Sequence, residues 1–261
     1  MTATNVLITI PISHYCEKAR WALDRAGVAY VERPHLQGIH VIASKRAGGQ
    51  GTTPVLVTDD AGVLGESADI VSYADAHGPR ALGLYGDGNG HGDQRAEIEA
   101  LQRDFDEVLG PDGRLWMYQH LLERPNLAER YGCAGVPAWE RRALPRLYRL
   151  MARLIRDKLG VSAEAAVESE RRVDETFDRV AARLADGRPY LVGDRFSAAD
   201  LTFAALAGAL LMPPQWGIPL PQPDELPPVA AAKVRAMREH PAGQFALRMF
   251  EEERHTRPPV G

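Results

Sequence analysis

Pro11-Ile12-Ser13-His14-Tyr15-Cys16-Glu17-Lys18-Ala19-Arg20 is the stretch whose reading decides the fold. Ahead of it, Asn5-Val6-Leu7-Ile8-Thr9-Ile10 is a short run rich in β-branched residues and reads as a buried strand. Behind it, Ala19, Trp21, Ala22, Leu23 and Ala26 have the apolar spacing of a helix that ends at Gly27. Ser13 therefore stands where a strand hands over to a helix, at the end with unpaired N–H groups and the positive pole of the dipole. Two readings are open at this point. Ser13 is a plain N-cap, or it marks a site where a helix start stabilises a thiolate of the protein or of a small ligand.

Composition narrows the classes. The 261 residues are 45% hydrophobic, ample for a real core. A net charge of −4 gives no bulk attraction to nucleic acid or to an anionic membrane. Cys16 and Cys133 are the two cysteines, too few for a disulfide scaffold. The first strand begins within a few residues, with no basic and apolar leader, and the apolar run Leu201 to Met212 is too short to span a bilayer. The expectation is a cytoplasmic protein.

The first part alternates strand and helix. Val28 to Glu32 reads as a second strand, Ile39 to Arg46 as a helix closing in the loop Gly48-Gly49-Gln50-Gly51, and Thr53–Thr58 with Gly62–Gly65 as a hairpin. Ser67 then caps a helix that stops at His77-Gly78-Pro79. This β-α-β-α-β-β-α order makes residues 1–80 a thioredoxin-like α/β domain. Residues 81–92 read as a linker; within it Gly86 to Gly92 only faintly resembles a calcium loop, because Ile98 stands where the bidentate Glu belongs. From residue 93 to 261 the patterns are all helical, over Asp93–Leu109, Gly113–Glu123, Trp139–Lys158, Ala163–Ala185, Ser197–Leu211, Val229–Glu239 and Pro241–Glu253, with Pro145 a kink or a start.

Three features of the first part combine. Thr53-Pro54 places a proline at a strand start, where the lost donor needs compensation. Glu66-Ser67 opens a helix, so a hydroxyl and free N–H groups can take a carboxylate while Glu66 takes an ammonium beside it, which describes an α-amino acid head group. Ser13 supplies a hydroxyl near the first helix start.

With Ser13-His14-Tyr15-Cys16, Thr53-Pro54-Val55-Leu56, Glu66-Ser67-x-x-Ile70 and an all-helical half, the chain resembles a cytosolic glutathione transferase of bacterial type. Tyr190 to Asp200 adds to the likeness, with Ser197 and Asp200 as a capping box on the core helix. The resemblance implies the glutathione transferase fold, with a cis Pro54. It implies glutathione as cosubstrate, held by Glu66 and Ser67 at the γ-glutamyl end and by the Thr53 backbone at the cysteinyl part, with Gln50 or Lys45 at the glycyl carboxylate. Ser13 takes the catalytic position, donating to the sulfur. His14, Tyr15, Trp116, Tyr118 and His120 are the candidates for the hydrophobic wall of the electrophile site. A homodimer acting on a small hydrophobic electrophile, with no metal, nucleic acid or membrane, completes what the likeness implies.

Cys16 keeps a thiol–disulfide reductase or lyase open, and a non-catalytic binding protein of the same fold is the rival of another class. The histidines lack zinc spacing, and no phosphate-binding or nucleophile-elbow motif occurs. The run Arg141, Arg142, Arg146, Arg149, Arg153, Arg156 reads as a solvated or Glu-paired helix face.

Overall fold

The computed structural model describes residues 5–86 and 92–258, so the centre of the Gly86–Gly92 segment lies outside the described residues. Four strands, β1 (Asn5–Thr9), β2 (Tyr30–Pro34), β3 (Val55–Val57) and β4 (Val63–Leu64), form one sheet in the order β2-β1-β3-β4. β2 runs parallel to β1 after the crossover helix α1 (His14–Ala26), whereas β3 and β4 are antiparallel neighbours. β2 starts two residues later than its β-branched run suggests. Val28 N–H still bonds back to Leu23 O at 3.0 Å around the left-handed Gly27, so the chain reaches strand register only at Tyr30.

α2 (His40–Arg46) and α3 (Ser67–His77) complete the N-terminal domain. Leu7 and Leu56 of the sheet are buried in one core with Trp21, Ala22 and Leu23 of α1 and Ile70, Val71 and Ala74 of α3. The helical domain contains α4 (Gly92–Asp104), a π-helical turn at Phe105–Leu109, α5 (Gly110–Leu121), α6 (Pro125–Tyr131), α7 (Ala138–Leu159), α8 (Ala163–Leu184), α9 (Ala198–Leu211), α10 (Pro228–Glu239) and α11 (Pro241–Glu252). This arrangement is the glutathione transferase fold expected from the sequence.

Two further details, both in the helical domain, differ from the sequence reading. The helix pattern does not break before Gly113. The π turn carries the chain from α4 into α5, and Pro111 is accommodated in the first turn of α5. α6 was not anticipated, because seven residues opened by Pro125 are too few for a periodic signal. Pro145 sits inside α7 on an exposed position, where the missing N–H costs one bond without burying an orphan.

α9 is the centre of the helical domain, buried almost throughout. Asp200 holds its start. Its carboxylate accepts from Ser197 N–H at 2.8 Å, Ser197 Oγ–H at 2.6 Å and Leu191 N–H at 2.7 Å. The domains are joined through α1. Trp21 packs against Phe196 and Phe250 with ring centres 5.6 and 4.8 Å away, and Glu17, fully buried, accepts from Arg254 at 2.5 Å and Arg20 at 3.3 Å. Among the described residues no helix is long and apolar enough to cross a membrane.

Candidate active site

Ser13 is the N-cap of α1, in extended conformation, and its Oγ accepts from Cys16 N–H at 3.4 Å. That bond uses an oxygen lone pair and leaves the hydroxyl hydrogen for another acceptor. Ser13 faces a largely apolar cavity of about 1300 Å³ between the two domains. The N-cap reading and the site reading are therefore compatible: one hydroxyl can serve both.

Thr53 and Pro54 line the same cavity, and their peptide bond is cis. So do Gly65, Glu66 and Ser67 at the start of α3. Here the helix begins one residue earlier than the sequence suggested: Glu66 is the N-cap and Ser67 the first helical residue. Among the described residues neither the Ser67 hydroxyl nor the Glu66 carboxylate has a hydrogen-bond or ion-pair partner. The first N–H groups of α3 are likewise unpaired within the helix. A hydroxyl, free N–H groups and a carboxylate side by side fit a zwitterionic amino-acid head, which is the chemistry of a γ-glutamyl end.

Cys16 takes no place on the cavity. It is fully buried, its Sγ accepts Ile10 N–H at 3.4 Å, and burial pushes its thiol above the ordinary range. His14 and Tyr15 do line the cavity. Burial, assisted by the Arg114 charge, lowers His14 to about 3, so it is neutral at physiological pH, and its covered Nε2 has no partner among the described residues. Tyr15 donates to Asp106 O at 2.7 Å in the π turn, and burial raises its phenol well above the usual value. Gly110 is required there, because a Cβ on it would lie 2.6 Å from Tyr15 Cζ. Beneath Tyr15, Lys18 is completely covered and reaches both Asp106 oxygens at 2.8 and 2.6 Å. The π turn thus delivers Asp106 to α1 and the α5 start to Tyr15.

The wall read from Trp116, Tyr118 and His120 needs correction. Tyr118 lines the cavity and donates to Gln37 Oε1, but Trp116 and His120 do not reach it. On a helix, residues two apart point about 200° apart, so Trp116 and Tyr118 cannot share a face. Trp116 instead packs edge-on against His120 and donates to Glu170 of α8 at 2.8 Å. The cavity face of α5 is Arg114, Met117, Tyr118 and Leu121, and it continues into Tyr131, Leu144, Tyr148, Met151 and Ile155 of α6 and α7. The aromatic cluster drew attention to residues facing the wrong neighbour; a helical-wheel projection through Gly110 would have found Arg114.

Gln50 and Lys45 are exposed and do not line the cavity, although the Lys45 stem lies against Gly51, which does. Gly48 and Gly51 take positive φ of 91° and 90°, and Gly51 N–H bonds to Ser44 Oγ at 3.0 Å, so the loop folds back on α2. His40, Thr52 and Lys158 line the cavity at that end instead. Burial and the Lys158 charge bring His40 down to about 4. Among the described residues no group of three or more His, Cys, Asp or Glu side chains could hold a metal ion.

Against known proteins, residues 7–81 match the glutathione S-transferase N-terminal domain and residues 149–231 the C-terminal domain. No curated protein matches the sequence. Among solved structures, a serine-to-cysteine variant of a poplar glutathione transferase shares 14% identity, with 97% of this chain and 94% of that chain covered and a TM-score of 0.60. A possible glutathione S-transferase from Rhodopseudomonas palustris shares 16% over 95% and 94%, TM-score 0.56. A glutathione S-transferase from Methylobacillus flagellatus with glutathione bound shares 16% over 93% and 98%, TM-score 0.55. At such identities the likeness speaks for the fold. The two family models together span more than half of the sequence, in chain order, and this protein belongs to the glutathione transferase family.

Proposed function

We propose that the protein activates the glutathione thiol for conjugation to a small hydrophobic electrophile. One arrangement supports the reading best: the Ser13 hydroxyl, the Thr53–Pro54 corner and the unpartnered Glu66–Ser67 helix start open on one largely apolar cavity. Glu66 takes the γ-glutamyl ammonium, and Ser67 with the first N–H groups of α3 takes its carboxylate. The Thr53 backbone pairs with the cysteinyl main chain. Lys158, on the rim beside His40, replaces Lys45 and Gln50 as the counter-charge for the glycyl carboxylate.

Ser13 then donates its hydroxyl hydrogen to the sulfur. A free thiol has a pKa of about 8.5, and lowering it by two units takes roughly 2.7 kcal/mol. A charge-assisted hydrogen bond of about 1.5–3 kcal/mol with a helix terminus of about 0.3–1 kcal/mol is sufficient. The thiol proton leaves to water, and the thiolate forms a C–S bond with the electrophile, either expelling a leaving group with its electron pair or adding across an activated double bond that water then protonates; the apolar walls from α5 and α7 hold the electrophile's body. A redox route through Cys16 has no support from its burial. As in the family, the working form is proposed to be a cytoplasmic homodimer.

Calorimetry with glutathione tests the assignment. Ser67→Ala should weaken binding about tenfold or more through loss of a hydrogen bond to a charged group. Affinity equal to wild type would remove Ser67 from the site. Glutathione binding without turnover of any aromatic electrophile would favour a ligand-binding role over a transferase.

A further inference from the structure

The geometry points to Arg114 as an anion anchor, making the cavity selective for electrophiles that join an apolar body to a carboxylate. This rests on the cavity being the electrophile site.

Arg114 lies on the cavity face of α5, one turn after Gly110, which touches Tyr15, and one turn before Tyr118. It shares the cavity face of α5 with Met117, Tyr118 and Leu121, and its charge acts on His14, Tyr15 and Tyr118. None of these is an anion. Among the described residues, Arg114 has neither an ion pair nor a hydrogen-bonded acceptor. The π turn brings two carboxylates to the cavity: Asp106 is engaged through both oxygens by Lys18, and Glu107 makes no ion pair with Arg114 among the described residues. Glu66 stands at the start of α3, where the γ-glutamyl ammonium is to be matched. An unpaired guanidinium on an apolar wall is a costly arrangement unless an anion completes it, and its planar fork fits a carboxylate through two parallel bonds.

Position separates this role from the glutathione carboxylates. The γ-glutamyl end is assigned to Ser67 and the glycyl end to the His40–Lys158 side, whereas Arg114 sits on the opposite, α5 wall. It also falls between the two stretches that the family models match, residues 7–81 and 149–231.

Two neutral–anionic twins test the assignment: 3-phenylpropanoate and 3-phenylpropanamide, titrated calorimetrically into the full chain saturated with S-methylglutathione. Glutathione's own carboxylates are then already in place. The acid should bind the wild type about tenfold or more tightly than the amide, since a bond to a charged group is lost in the amide. Arg114→Gln should abolish that preference and Arg114→Lys restore part of it, with thermal unfolding checking that both variants fold. Equal affinities in the wild type, or an acid preference surviving in Arg114→Gln, would overturn the proposal. Failure of S-methylglutathione to bind would instead defeat the transferase reading; titration into the unsaturated chain then still decides the role of Arg114.

Discussion

Ser13, His14, Tyr15 and Cys16 are consecutive, yet the helix start assigns each a separate environment. Ser13 caps and faces the cavity, Cys16 points into the core, Tyr15 is tied to the π turn, and His14 is buried without a charge. The position of Ser13 was legible, because strand-to-helix handover fixes a cap. The fate of His14 was not, since burial depends on α5 and Arg114, which are distant in sequence. His14 carries a testable consequence. Its folded pKa of about 3 lies below the ordinary 6.5, so the unfolded chain binds the proton first. Its contribution to stability is complete above pH 6.5 and is lost as pH falls toward 3, amounting to about 3 kcal/mol between pH 6.5 and 4. His40, near 4, acts in the same direction, and Asp200, raised to about 6 by burial, opposes it. Urea unfolding of wild type and His14→Gln from pH 7 to 4 isolates this contribution: the wild type should lose stability more steeply. Parallel pH dependences would refute the assignment.

At the scale of elements, α7 shows what lies beyond sequence periodicity. Its arginines were read as a solvated or paired face, and Arg153 and Arg156 do pair with Asp157 and Glu123 on the surface. The opposite side, with Leu144, Tyr148, Met151 and Ile155, roofs the cavity. One end of that roof is fastened by Glu140, fully buried, which engages His35 Nδ1 at 2.6 Å and accepts Leu36 N–H at 2.8 Å. A single Glu in an Arg-rich run gives no hint of this, because its partners follow β2, a hundred residues earlier. Glu140→Ala leaves the Leu36 donor buried and unsatisfied, an expected loss of about 1–3 kcal/mol. Because this contact holds only one end of α7, hydrogen exchange should rise in α7 more than in α9. Unchanged exchange in α7 would show that the roof is held elsewhere. Capped and strongly patterned elements such as α1 and α9 were legible, as was α3 apart from its cap, which is Glu66 and not Ser67; α6 is too short, and the start of β2 was displaced by the helix C-cap.

The whole molecule joins two domains through α1, and the joint lies beside the site. Glu17, Asp24 and Arg25 of α1 meet Arg254 and Glu253 after α11, with Trp21 between Phe196 and Phe250. The sequence indicated that two domains exist but not this clasp, whose members are far apart in the chain. The cavity is a product of the same assembly: one wall has the helix starts of the N-terminal domain, the other the α5–α7 face. The central claim is that Ser13, at that junction, stabilises a thiolate while Cys16 takes no part. Ultraviolet titration of the thiol of bound glutathione tests it directly, in wild type, Ser13→Ala and Cys16→Ala. The account predicts ionisation well below the free value of about 8.5 in the wild type, a rise of about one to two units in Ser13→Ala, and no change in Cys16→Ala. A bound thiol that titrates identically in wild type and Ser13→Ala would contradict it.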